Sequence, residues 1–126
     1  MGKLKCTSGF VIVDQIDNNP FKASLIRDNL IDGVSDSITD DIDSLIDANN
    51  SDKRMEWIKN NFNVPPYPTD LKDSSMLHDL IVQKLLKVNQ DVFQCENCDR
   101  IAIQIGQSDK FKFFSPDSEN SDGLFS

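Results

Sequence analysis

The sequence VFQCENCDRIAIQI, residues 92–105, places a C-x-x-C motif between two short runs of strand-forming residues. Branched and aromatic side chains predict strands over 92–94 and 100–105. Cys95 and Cys98 then lie in the turn between the strands, where both thiolates can reach one tetrahedral Zn(II) ion. A thioredoxin-like redox pair is the alternative, but that motif expects a helix after its cysteines. The strand context therefore favours a metal site.

Further strands are predicted towards both ends of the chain. Residues 10–13 are branched and aromatic, residues 21–26 alternate loosely, and the Asp-Asn-Asn-Pro sequence at 17–20 is a turn signal. We therefore expect two initial strands joined by a turn. Near the other end, a strand is expected over 110–114, and the Gly-Gln-Ser-Asp sequence at 106–109 predicts a hairpin before it.

The middle of the chain has helical periodicity instead. Apolar residues recur every three or four positions over 28–48, which predicts an amphipathic helix. The polar sequence at 49–52 predicts a break and a new N-cap before a short helix over about 55–62. A third helix is expected from residue 74 or 75 to about 88, after a Pro-rich segment at 63–68 that cannot continue a helix.

The order of strands, helices and strands predicts an α+β fold. The terminal strand regions are expected to pair into a small antiparallel sheet packed against about three helices. We expect one domain over 1–114 and a flexible polar tail over 115–126.

Cys6 lies just before a predicted strand and shares a short turn with Ser8, as Cys95 and Cys98 do at their own strand end. The candidate metal ligands are therefore Cys6, Cys95 and Cys98, which is one fewer than a closed zinc site needs. His78, a carboxylate or water could complete the set. The alternatives are that His78 lies on the polar side of its helix and that the turns are held by packing alone. We expect either bound zinc or no cofactor.

Several short motifs at the two ends of the chain form a recognisable series. In order they are CTSG at 6–9, Asp14, NNPFKA at 18–23, CENCDR at 95–100, and Pro116-Asp117. The series resembles a family of small bacterial proteins with a C-x-C-G knuckle near the start and a C-x-x-C-x-R knuckle near the end. This resemblance implies a zinc-ribbon-like set of four cysteines, and Ser8 stands here in place of the second one.

The composition limits the classes of partner. The 126 residues include 13 Lys and Arg against 21 Asp and Glu, a formal net charge of -8 and a sequence pI of about 4.4. An acidic chain repels phosphate and anionic lipid, so nucleic acid and membrane are not expected partners, whereas a basic protein is. The sequence has no apolar run of signal-peptide or membrane-helix length, and we therefore expect a cytoplasmic protein.

The first predicted helix concentrates this negative charge. At about 100° per residue, six of its carboxylates fall on one arc opposite the apolar stripe, and Asp41 lies near the apolar edge. A solvated face is one interpretation, and a surface that binds a basic partner is the other. The candidate partner-binding residues are Asp28, Asp32, Asp36, Asp40, Asp43, Asp47 and, as an aromatic anchor, Tyr67.

The motifs argue against an enzyme. The sequence has a single His, no G-x-S-x-G, no Gly-rich phosphate loop and no H-E-x-x-H. By size and charge the chain is similar in a general way to the immunity proteins of bacterial toxin systems. That similarity implies an inhibitor that forms a heterodimer with a basic toxin domain, plausibly a nuclease such as a tRNase, by occlusion and charge complementarity. The alternative is a zinc-ribbon-like structural or adaptor protein that mediates protein–protein contacts.

Overall fold

The computed structural model describes residues 3–14, 18–62, 67–117 and 123–125. Within these ranges the chain forms three helices and two antiparallel sheets, which confirms the α+β class. In chain order the elements are β1 (Lys3–Lys5), β2 (Val11–Val13), β3 (Lys22–Leu25), α1 (Asp28–Asn50), α2 (Arg54–Asn61), α3 (Asp73–Val88), β4 (Gln90–Gln94), β5 (Ile101–Gln104) and β6 (Phe111–Phe114).

The chain divides into two compact units. We call Met1–Ile26 together with Asn89–Ser126 the sheet unit, and Arg27–Val88 the helical unit. The predicted division into a domain over 1–114 and a tail over 115–126 stays a prediction. Asp17 of the predicted turn, part of the Pro-rich segment and part of the tail lie outside the described residues.

The sheet unit joins the two ends of the sequence. Its larger sheet has the strand order β3-β4-β5-β6, with every neighbouring pair antiparallel. Lys22 is paired with Phe93, so a strand near the start of the chain lies beside one near its end. Inward-facing side chains of this unit form a small buried cluster that consists, among the described residues, of Cys6, Ile12, Phe93, Cys95 and Ala102.

The two strands predicted near the start of the chain are present as β2 and β3, but they do not pair with each other. β2 pairs with β1, in the register Leu4 to Ile12, and β3 pairs with β4 instead. The three residues of β1 have too little pattern to predict a strand, yet the turn that contains Cys6 places them directly beside β2. The hairpin predicted at 106–109 is confirmed, because Ile105 N–H donates to the Lys110 carbonyl at 2.8 Å.

The helical unit has a larger apolar core. Leu45 and Ala48 of α1 pack with residues of α2 and α3, and together the buried set is Leu45, Ala48, Trp57, Ile58, Phe62, Met76 and Leu80. Burying a side chain as large as Met76 or Leu80 stabilises the fold by about 1.5–3 kcal/mol. The predicted N-cap within 49–52 is wrong, since α2 begins after Lys53.

Asp41 has a structural partner that accounts for its place at the edge of the apolar stripe. Its Oδ2 atom lies 3.0 Å from Nζ of Lys84 on α3. The side chain of Asp41 is 19% exposed and that of Lys84 is 24% exposed. Lys84 also donates to the Ser37 hydroxyl at 2.7 Å. This contact joins α1 and α3 through charge as well as packing.

Candidate metal centre

Two turns of similar construction carry the cysteines. In the first, Cys6 N–H donates to the Phe10 carbonyl at 2.8 Å and Gly9 N–H donates to the Cys6 carbonyl at 2.9 Å. Gly9 has a φ of 92°, a conformation that favours glycine because it has no Cβ. The turn closes the β1–β2 hairpin and directs the Cys6 side chain into the buried cluster.

The second turn repeats this arrangement between β4 and β5. Cys95 N–H donates to the Arg100 carbonyl, and Asp99 N–H donates to the Cys95 carbonyl, both at 2.9 Å. Asp99 has a φ of 62°, which Asp tolerates better than most residues. We call these two turns, residues 6–10 and 95–100, the knuckles.

The knuckles bring the three thiols together. The sulfurs of Cys6, Cys95 and Cys98 all lie within 4.8 Å of one another, and those of Cys6 and Cys98 are 3.5 Å apart. Four thiolates around Zn(II) at about 2.3 Å would be separated by about 3.8 Å. The three sulfurs therefore need only small movements to bind one metal ion.

Ser8 stands beside this group. Its hydroxyl lies 3.8 Å from the Cys95 sulfur and accepts a long 3.5 Å hydrogen bond from the Phe10 N–H. Among the described residues, no carboxylate or imidazole joins the three sulfurs. Cys6 and Cys95 are buried, Cys98 is half-buried and Ser8 is exposed, so the group has a buried side and a solvent side.

The surroundings favour different protonation states of the two buried thiols. Burial raises the pKa of Cys6, but hydrogen bonds from the side chain and backbone of Ser8 and from the other two cysteines outweigh it and lower that pKa to about 6. Burial also raises the pKa of Cys95, and there the backbone N–H groups of Asn97 and Cys98 oppose it only in part. Of these two thiols, Cys6 is therefore the more ready to bind a cation at neutral pH.

Arg100 supplies a positive charge next to the sulfurs. Its Nη1 donates to the Cys98 sulfur at 3.3 Å and its Nε donates to the Ser115 hydroxyl at 3.1 Å. The hydrogen bond to Cys98 raises the pKa of the guanidinium. In the sequence, Arg100 stands out only as part of the C-x-x-C-x-R motif. A basic residue two positions after a C-x-x-C does, however, predict a positive charge that compensates the thiolates.

The other candidate residues, His78 and Tyr67, belong to the helical unit. The side chain of His78 is 78% exposed, and the structure leaves it outside the sulfur group. Tyr67 stacks on Phe62 with ring centroids 3.9 Å apart and donates to Asp79 at 2.9 Å; burial, with Asp79, raises its pKa to about 12. Its role in partner binding stays a prediction.

The six carboxylates predicted to bind a partner are all exposed on α1. We call this set the acidic face: Asp28, Asp32, Asp36, Asp40, Asp43 and Asp47. Asp41 is the exception, as its pairing with Lys84 shows. No basic residue lies between Arg27 and Lys53, so α1 carries none. The acidic face is therefore a continuous negative surface.

Gln94 and Phe125, which the sequence did not single out, support the second knuckle. Gln94 is 1% exposed, and its Nε2 donates to Asp99 at 3.1 Å. Its Oε1 accepts the Phe125 N–H at 2.7 Å. Part of the predicted flexible tail thus contacts the base of this knuckle.

A pocket of about 320 Å³ also lies in the sheet unit. Phe93 and Phe111 contribute to its apolar lining. Two of its carboxylates already have partners, because Asp14 pairs with Lys22 at 2.8 Å and Asp91 accepts from Asn89. The sulfur cluster is therefore the better defined site in this unit.

Comparison with known proteins gives one family. No curated protein and no solved structure matches the chain. Within the described ranges, no helix has the length and apolar character required to cross a membrane. A family described as a domain of unknown function (DUF8617) matches residues 2–118. The chain, with its paired knuckles, belongs to the DUF8617 family.

Proposed function

We propose that this protein is a zinc-stabilised module for protein–protein contacts, in which Cys6, Cys95 and Cys98 bind one Zn(II) ion. The observation that carries the proposal is the approach of three sulfurs to within 4.8 Å from two separate knuckles. Soft thiolate ligands favour Zn(II) over Mg(II) or Ca(II).

Electrostatics supports the same assignment. Three thiolates without a cation would repel each other in a buried site, whereas Zn(II) with Arg100 balances their charge. The ion would join β2 to β4 and β5 through their turns, and its binding free energy would contribute to folding. Structural zinc serves small sheets of this kind because their apolar cores are limited.

Metal content and stability test this proposal. Purified protein is expected to contain close to one Zn(II) per chain, and Cys98→Ser is expected to lose it. Asn97→Ser is the matched control, since it changes an exposed side chain of the same knuckle and leaves all three sulfurs in place. A wild-type protein that stays free of metal after equilibration with Zn(II) contradicts the proposal.

The acidic face favours a second candidate function, inhibition of a basic toxin domain in the manner of an immunity protein. Seven of the negative charges of the chain lie within Asp28 to Asp47, and six of these carboxylates are exposed. Opposed charge would accelerate encounter with a basic nuclease domain and help to cover its cleft. This function requires no metal and is compatible with the first.

The test removes four charges from the acidic face. Asp32, Asp36, Asp40 and Asp43 are changed to Asn, and association with the basic product of a neighbouring open reading frame is measured at several salt concentrations. The association rate is expected to fall about tenfold or more at low salt, with a weaker salt dependence.

A matched control removes four charges elsewhere, by Glu56→Gln, Asp70→Asn, Asp109→Asn and Asp117→Asn. All four side chains are exposed, and the net charge changes equally. If both variants slow association by the same factor, only the overall charge matters. If neither does, the acidic face serves solubility.

A further inference from the structure

We propose that the metal centre keeps one exchangeable coordination position at Ser8, and that this position takes a neutral donor such as water or an imidazole nitrogen. The proposal rests on the proposed zinc site and deepens it. It follows from the arrangement around the sulfurs, which supplies three strong ligands and one weak neighbour.

The donor set is the first step of the argument. Protein ligands of Zn(II) are thiolate, imidazole and carboxylate groups, and three such ligands with one open position are the pattern of exchangeable sites. The Ser8 hydroxyl is a neutral oxygen with a strongly bound proton and does not belong to that set. It holds the fourth position only weakly.

Access is the second step. Cys6 and Cys95 are 2% and 0% exposed, and they close the inner side of the centre. Ser8 and its neighbours Thr7 and Gly9 are exposed, so the position next to the Ser8 hydroxyl opens to solvent. An incoming ligand needs to displace only that hydroxyl or a water molecule.

Charge is the third step and selects the class of ligand. Zn(II) with three thiolates carries one net negative charge, and the Arg100 guanidinium, which donates to the Cys98 sulfur at 3.3 Å, compensates it. A neutral donor keeps this balance, whereas an anion leaves an uncompensated charge beside two buried sulfurs. Neutral donors are therefore expected to bind more tightly than anions of similar size.

The thiolates also determine what the centre does with its ligand. Three sulfurs transfer more negative charge to the metal than three imidazoles, so the ion is a weaker Lewis acid. Reversible binding of a ligand is therefore the chemistry expected at this position.

The experiment uses full-length protein loaded with Co(II), whose visible bands report the ligands of the ion. Wild type, Ser8→Cys and Thr7→Ala are each titrated first with Co(II), then with imidazole, and in parallel with acetate as the anionic probe. Thr7→Ala is the matched control, because it changes an exposed residue of the same knuckle and keeps Ser8 and all three sulfurs.

Wild type and Thr7→Ala are expected to bind one Co(II) and to show a saturable change of the visible bands with imidazole. Acetate is expected to require at least a tenfold higher concentration. Ser8→Cys is expected to bind Co(II) at least tenfold more tightly, to show a sulfur-to-cobalt band about one third more intense, and not to respond to imidazole.

The outcomes separate the two proposals. Stoichiometric Co(II) binding by wild type without a response to imidazole leaves the metal site intact and overturns the exchangeable position. Acetate binding as tight as imidazole overturns the charge argument. Failure of wild type to bind Co(II) overturns the zinc site, and the exchangeable position with it.

Discussion

The two units of this protein build their interiors from different materials. Among the described residues, the helical unit buries seven apolar side chains that include Trp57, Phe62 and Met76. The sheet unit buries six, and two of these are Cys6 and Cys95. Because two of its buried side chains are small thiols, the sheet unit buries less apolar area than the helical unit. Its stability must therefore come partly from another source.

The difference explains where a metal would matter. The helical unit gains its stability from packing of large side chains, which is independent of any ligand. In the sheet unit, the buried cysteines belong both to the core and to the candidate metal site. Binding of an ion would there act on the folding equilibrium itself.

Removal of the metal is expected to have the largest effect and tests the comparison directly. With a strong chelator, amide hydrogen exchange in β2, β4 and β5 should accelerate at least a hundredfold, because opening of the sheet unit no longer costs a metal ion. Exchange in α1 and α3 should change little. Equal acceleration of exchange in both units would mean that the stability of the two units depends equally on bound metal.

The pKa of Cys6 is lowered, whereas that of Cys95 is raised, so the two buried thiols are expected to respond differently to acidification. The pKa of Cys6 is about 6, below the usual 9.0, so its thiolate contributes stability above pH 9 that is lost as the pH falls through about 6. Above pH 6, Cys6 therefore adds little to the pH dependence of Zn(II) affinity. Ser8→Ala removes a hydrogen bond that lowers this pKa, so the pKa of Cys6 is expected to rise. The Zn(II) affinity of the variant should then fall more steeply than that of the wild type as the pH falls, by up to about tenfold more per pH unit.

That prediction is checked by competition of the protein with a zinc indicator between pH 6 and 9, for wild type, Ser8→Ala and Thr7→Ala. Thr7→Ala should follow the wild type. Identical slopes for Ser8→Ala and wild type would show that the hydroxyl does not lower the pKa of Cys6.

Met76→Ala sharpens the other half of the comparison. Met76 is 0% exposed, and its truncation is expected to reduce the free energy of unfolding by about 2–5 kcal/mol. Met55, at 51% exposed, is the matched control, and Met55→Ala should change it by less than about 0.5 kcal/mol. Urea denaturation measures both, and the loss should be the same with and without bound metal.

Lys84→Met tests whether charge contributes to the helical core. It leaves the partly buried Asp41 without its partner at 3.0 Å and is expected to cost about 1–3 kcal/mol in urea denaturation. Asp41→Asn in the same protein should recover part of that loss, since an amide is less costly to bury than an unpaired carboxylate. Two additive losses would mean that the pair makes no joint contribution.

Tyr67→Phe should have the smallest effect. It removes the hydrogen bond to Asp79 and keeps the stacking on Phe62, so the expected loss is about 0.5–1.5 kcal/mol. If the same variant also weakens binding of a basic partner more than stability requires, Tyr67 has the contact role predicted from the sequence.

Elements with a long sequence pattern were predicted better than elements with a short one. The helical periodicity of residues 28–48 extends over many turns, and α1 spans Asp28–Asn50 as a consequence. β1 has only three residues, Lys3–Lys5, and the pairing of β2 with it depends on a knuckle that no hydrophobic pattern encodes. Short strands take their partners from tertiary contacts, so the sequence of residues 10–26 does not specify which strand each of β2 and β3 pairs with.

The site was predictable in its chemistry but not in its surroundings. Spacing singled out Cys95 and Cys98, because two sulfurs in one tight turn point to the same side, and Cys6 was added from its place in a turn before a predicted strand. The contact of Arg100 with Cys98 and that of Gln94 with Phe125 depend on side-chain directions across the sheet. A linear pattern does not contain these directions.

The knuckles also impose an order on biosynthesis. Cys6 and Cys98 are 92 residues apart, and at about 5–20 residues per second the ribosome needs roughly 5–20 s to make the second after the first. During that interval α1, α2 and α3 are translated, and β3 stays without its partner until β4 follows them. Contacts of such high sequence separation form slowly, so the proposed three-thiol metal site can form only after release of residue 98. A chain that stops before Cys95 would keep Cys6 as an isolated thiol.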